Sequence, residues 1–266
     1  LQSRVHQETK PCIDSKKLVG ANALMIRALV DASIAFENPS FFSRARELDL
    51  WMQSTFSINS ENIQNSPILF LQDFTLWIEA ILSLASVCEL FEEDMFHNYL
   101  SRAENLTKEV IRHFKDKKMP GYFISPETID YPPPCRKKIW HDTDIPAGNS
   151  TLIKIFSSLF HLQKDDKWKL ELDKITSGYT KVIRSTPAAA AKALKSLCDQ
   201  AMGEISILFP KGSESQLLDR LKDFPNRSFF LKPNGSDKNE YGLQVGSLNE
   251  VLMCKDLDSL IELINE

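Results

Sequence analysis

The segment Gln72–Phe91 constrains the fold more than any other, because its apolar residues leave no side for water. Phe74, Trp77, Ile78, Ile81, Ala85 and Cys88 fall on one helical face, and Leu76, Ala80, Leu84 and Val87 on another. A helix apolar on both sides has to be covered on both sides. Glu79 and Ser83 interrupt this run, as Lys154 interrupts the other long apolar stretch, which argues for burial in protein rather than in a bilayer.

The segments around it supply partners. Residues 20–36 place Ala21, Leu24, Met25, Ala28, Leu29 and Ala32 at helical spacing between Gly20 and the Asn38–Pro39 stop, and from Pro39 to Phe56 the stripe Phe41, Ala45, Leu48, Met52 predicts a second helix. After a polar stretch at 57–67, the buried helix pairs with an amphipathic one over 93–116, its inner face Phe96, Tyr99, Ala103, Leu106, Val110 and Phe114. Helices over 149–163 and 165–183 make a third pair, the latter carrying Trp168, Leu172, Ile175, Tyr179 and Val182, and another helix runs from Pro187 to Met202. The fold class is therefore mainly α: a partial (α/α) toroid of antiparallel hairpins.

Near residue 203 the period changes. Ile205–Phe209, Phe229–Leu231 and Val251–Cys254 read as strands, helices follow Ser213 and Asp256, and residues 233–246, with Asn234–Gly235, predict a turn flanked by short strands. The organisation is a helical domain over 1–202 and a small α/β subdomain over 203–266.

Composition narrows the functions. With 266 residues, 42% hydrophobic and 26% charged, the chain has material for a large core, and a net charge of -4 excludes an evident basic surface for nucleic acid or anionic membrane. Cys12, Cys88, Cys135, Cys198 and Cys254 form no CxxC pair, so neither zinc nor a dithiol is expected. With no charged-then-apolar leader at the start, the chain is expected to be cytoplasmic, with no metal and no cofactor. Leu1 in place of Met fits a fragment of a longer polypeptide.

The polar and turn-forming residues of Arg136–Ser150, RKKIWHDTDIPAGNS, stand immediately before an apolar helix, and Asn149 or Ser150 is placed to cap it. This stretch, with Asp14-Ser15-Lys16, Ala21-Asn22-Ala23-Leu24-Met25-Ile26 and Leu71-Gln72-Asp73-Phe74-Thr75, resembles the spermatogenesis-associated protein 20 family, thioredoxin-domain-containing proteins with a six-hairpin glycosidase-like C-terminal region. The resemblance spans nearly the whole chain and implies the second half of such a barrel, without the thioredoxin domain. It departs from the family at Ala21, where a Trp stands, at Ile139, where an acid stands, and at Asp142-Thr143, where Asp-Gly stands.

Two functions follow from the resemblance. One is a non-catalytic or decayed binding and scaffold region, favoured by the lost Trp and acid. The other is a carbohydrate-active domain, epimerase-like or glycosidase-like, with Asp73, Asp142 and His141 as catalytic candidates and Asn22, Arg136, Trp140 and Asn149 around a sugar ligand. Each candidate also has a structural role to weigh: helix capping for Asp73, Asn22 and Asn149, ion pairing with a carboxylate for Arg136, and packing or surface exposure for His141 beside Trp140. Asn22, Asp73, Asp142 and Asn149 should share one rim, since inner helices of a toroid run parallel. Three hairpins leave apolar edges, so the missing N-terminal half, a thioredoxin domain or a second copy is the expected partner.

Overall fold

Apolar periodicity becomes antiparallel helix pairs in the computed structural model, which describes residues 16–56, 70–91, 94–127, 135–224, 229–234, 240–246 and 250–265. Helix α1 (Val19–Ala35) turns into α2 (Pro39–Phe56), and α3 (Leu71–Val87) passes through a 3-10 turn into α4 (Phe96–Phe114). Helix α5 (Gly148–Gln163) ends on Lys164 in the left-handed region, φ 57°, and Asp165 caps α6 (Asp166–Ser185) by accepting from the Lys167 N–H at 3.0 Å. Helix α7 (Ala191–Met202) follows a short 3-10 turn. The Asp14-Ser15 part of the resemblance and the polar stretch 57–67 lie outside the described residues.

Helix α1 packs on α2 and α3, α3 on α4 and α5, and α5 on α6 and α7. The first members of the pairs run parallel: the Gly20 N–H at the start of α1 donates to Asp73 at the start of α3, and Arg27 meets Glu79 eight residues into each helix. Helix α3 has no exposed residue, as its two apolar faces require. Together with the 3-10 turn, as Leu71–Phe91, it is long and apolar enough to cross a membrane, and here it forms the middle of the core.

The tail is a four-stranded sheet in the order β2-β1-β3-β4, with β1 (Ile205–Phe209) parallel to β2 (Phe229–Pro233) and antiparallel to β3 (Tyr241–Val245), which pairs with β4 (Leu252–Cys254). Helices α8 (Glu214–Leu221) and α9 (Leu257–Asn265) complete it. Strand β3 falls where the sequence reads mainly as a turn, and it buries Tyr241 and Leu243.

The α2 stripe also differs from its expected form. Phe42, Ala45, Asp49 and Met52 are the buried set, so a carboxylate stands where Leu48 was expected. Asp49 accepts from the Trp77 indole at 3.0 Å and from both Nη atoms of Arg102 at 2.8 and 3.1 Å, joining α2, α3 and α4. Removing one partner of such a buried pair strands the other charge. Asp49→Ala should therefore lower stability by about 3 kcal/mol in urea denaturation.

The sheet docks on α5 through polar contacts. Lys154 donates to both oxygens of Glu204 at 2.9 Å, the His161 Nδ1–H donates to the Gly246 carbonyl, and the Ser206 hydroxyl donates to Nε2 at 2.8 Å. Burial pushes the His161 pKa down to about 4, against the opposing pull of Glu204 and with Lys164 and Lys232 adding to the shift. The folded chain thus holds the imidazole neutral while the unfolded chain takes up a proton below its ordinary value of 6.5. Stability present above that value is lost as the pH falls through the window from 6.5 to 4. The loss should reach up to about 3 kcal/mol. Urea midpoints across that window should fall more steeply for the wild type than for His161→Gln.

Candidate functional site

The parallel helices bring their N-termini to one rim, where backbone N–H groups and helix dipoles favour anionic side chains. Asp73 accepts from the N–H groups of Gly20 and Phe70, both at 3.1 Å, tying α1 to α3. Its pKa is raised by burial, with those two hydrogen bonds opposing. The Gln72 amide donates to the Pro146 carbonyl at 2.6 Å, linking α3 to the turn before α5. Asp142 accepts from the Ala147 N–H at 2.8 Å, the Ser150 hydroxyl at 2.5 Å and the Lys192 N–H at 2.9 Å, so one carboxylate serves the starts of both α5 and α7.

The amides have equally local duties. Asn149 is fully buried and exchanges both bonds with the Tyr122 backbone, at 2.8 and 2.9 Å, while also donating to the Ile139 carbonyl at 3.0 Å. It clamps Tyr122 and Ile139 together instead of capping α5. Asn22 donates to the Leu18 carbonyl at 2.7 Å in the first turn of α1. Arg136, expected beside a carboxylate, donates to the carbonyls of Ser125 and His113 and lies 4.2 Å from the Phe123 ring centroid. Burial lowers its pKa, with Glu127 and Asp116 opposing. Trp140 meets Tyr179 edge-on at 4.9 Å and fills the space over Gly121 and Gly178. His141 is exposed on the loop. Asn22, Asp73, Asp142 and Asn149 therefore lie at one end of the array, each bonded to the backbone of a helix start or loop.

A second polar region lies between the inner faces of the helices and the docked sheet. A cavity of about 500 Å³ is lined there by Arg27 and Asp31 of α1, Glu79 of α3, Lys154 of α5 and Lys195 of α7. Leu221, Phe224 and the Phe229–Leu231 strand close it from the α/β side. Glu79 accepts from Arg27 at 3.0 Å and from Lys192. Burial raises the Asp31 pKa, with Arg27 opposing and Glu79 adding to the rise. Among the described residues, no three His, Cys, Asp or Glu side chains are grouped to hold a metal ion.

No family model and no curated protein matches this chain. Among solved structures it is similar to a GH76 α-mannanase of Bacteroides thetaiotaomicron, with a TM-score of 0.52 and 13% identity over 86% of this chain. The likeness is one of fold. That mannanase has the six-hairpin glycosidase-like α/α fold, and this chain spans 66% of its length.

The cavity residues were foreshadowed in one respect only: Glu79 and Lys154 are the charges that interrupt the two most apolar helices. Arg27, Asp31 and Lys195 carried no such mark, because they alternate with apolar residues as any surface position does. At the rim, the role of Trp140 has a direct test. A Cβ at Gly178 would stand 2.4 Å from the Trp140 ring. Alanine ordinarily stabilises a helix interior over glycine by about 1 kcal/mol. Here Gly178→Ala should instead destabilise by about 1–3 kcal/mol, read by urea denaturation and by a shift in tryptophan emission.

Proposed function

We propose that this chain is the partial (α/α) toroid of a spermatogenesis-associated protein 20-like, thioredoxin-domain-containing protein, acting in the cytoplasm as a non-catalytic binding and scaffold region. The single observation that carries this reading is the state of the rim carboxylates: Asp73 and Asp142 are both engaged by helix-start N–H and hydroxyl groups. A glycosidase needs a pair of carboxyl groups directed at substrate. Ala21 and Ile139, standing where the resembled family has Trp and an acid, support the same conclusion. The partner is an N-terminal helical portion or the thioredoxin domain, which would cover the apolar line of α1 where Leu18, Met25 and Phe36 are 58%, 54% and 71% exposed. Self-association serves that purpose when neither is present.

One observation favours a second reading, a carbohydrate-active enzyme domain. Asp31, its pKa raised by desolvation, and Glu79, held by Arg27 and Lys192, both line the cavity, and two carboxyl groups in unlike environments are the pattern of an acid/base pair. Product analysis after incubation with manno-oligosaccharides and a panel of mono- and disaccharides separates the two. The expected result is no product above the protein-free control, and turnover that disappears in Asp31→Asn would overturn the non-catalytic reading.

A further inference from the structure

The cavity has two unlike walls. The helical wall carries Arg27, Asp31, Glu79, Lys154 and Lys195, with Ser83, Ser86 and Ser158 between them. The opposite wall, from the α/β unit, is Leu221, Phe224, Phe229, Phe230 and Leu231, with Lys222 at its edge. Val30, Ile34, Leu82 and Val87 extend the apolar lining along α1 and α3. A hydrophilic ligand would leave that second wall against unmatched polar groups, and a purely apolar one would strip water from the charges.

Donor capacity left over on a lining cation sets the sign of the ligand's polar end. Arg27, Lys154, Lys195 and Lys222 outnumber the lining carboxylates Asp31 and Glu79. Glu79 is already held between Arg27 and Lys192, and Lys154 is held by Glu204. Lys195 pairs with Asp199 one turn along α7, and Lys222 with Glu37 and Asp219. The Arg27 side chain remains 30% exposed, and a guanidinium has five N–H donors, so one bond to Glu79 leaves it able to receive a further carboxylate. Burial lowers the Lys192 pKa, with the Glu79 carboxylate opposing and Arg27 and Lys154 adding their repulsion.

We propose that the cavity binds a small carboxylate with an apolar body, its head on Arg27 and Lys195 and its body against Phe224, Phe229 and Phe230. The volume of about 500 Å³ lies within the range of small-molecule sites. The proposal rests on the reading of this chain as a binding region, and it names the class of ligand for that region.

Titration calorimetry of the full 266-residue chain with octanoate tests it, with 1-octanol as the uncharged counterpart. Octanoate should bind saturably at one site, and 1-octanol at least about tenfold more weakly, the difference expected from a charge-assisted hydrogen bond. Lys195→Gln changes a half-exposed side chain and should weaken octanoate about tenfold. Ser83→Trp, which fills the cavity, should abolish binding while circular dichroism confirms the helical fold. Absence of saturable octanoate binding, equal binding of 1-octanol, or binding undiminished in a folded Ser83→Trp chain would each overturn the proposal. Sugar turnover in the separate product assay would overturn the non-catalytic reading and leave the octanoate result standing, so the two failures are distinguishable.

Discussion

Two carboxylates hold the helical part of this protein in register. Asp73 joins the starts of α1 and α3, and Asp142 joins those of α5 and α7, with the Gln72 amide bridging the two sets. Parallel helices collect their positive dipole ends and unsatisfied N–H groups at one rim, and an acid placed there satisfies both demands. The acid is present because the fold needs it. That necessity explains how an end of the array so rich in polar residues can resemble a catalytic site in sequence while its two carboxylates are occupied in structure.

The interior follows from the same arrangement. Once the first members of each pair run side by side, their inner faces share one surface, and that surface carries charge as well as apolar bulk. The α/β unit covers part of it, through Lys154–Glu204 and His161–Ser206 on one side and β2 against α3 on the other.

The helix pairs were legible in sequence because a period of 3.6 residues survives over 15 to 20 positions, as in α4 and α6. Where prediction slipped, a particular interaction displaced it. Asp49 takes a core position in α2 because the Trp77 indole, 28 residues away, hydrogen-bonds it and Arg102, 53 residues away, balances its charge there. Strand β3 was obscured by Gly242, a poor strand residue required because Leu208 and Val251 leave a Cβ only 3.2 and 2.8 Å. The rim residues were legible by place and not by role, since a capping acid and a catalytic acid have the same spelling. The cavity was hardest to read: it forms between helices and a sheet separated by up to two hundred positions, and no local pattern encodes that meeting.

Helix α3 has a further consequence for how the molecule comes into being. Its neighbours α4 and α5 and strand β2 follow it in the chain, with β2 beginning at Phe229, more than 140 positions after the helix ends. A growing polypeptide thus carries its most apolar segment through synthesis of much of the remaining chain before every side of that segment is covered. Full cover must come late, and a ribosome-bound intermediate halted before β2 presents the kind of surface that chaperones hold.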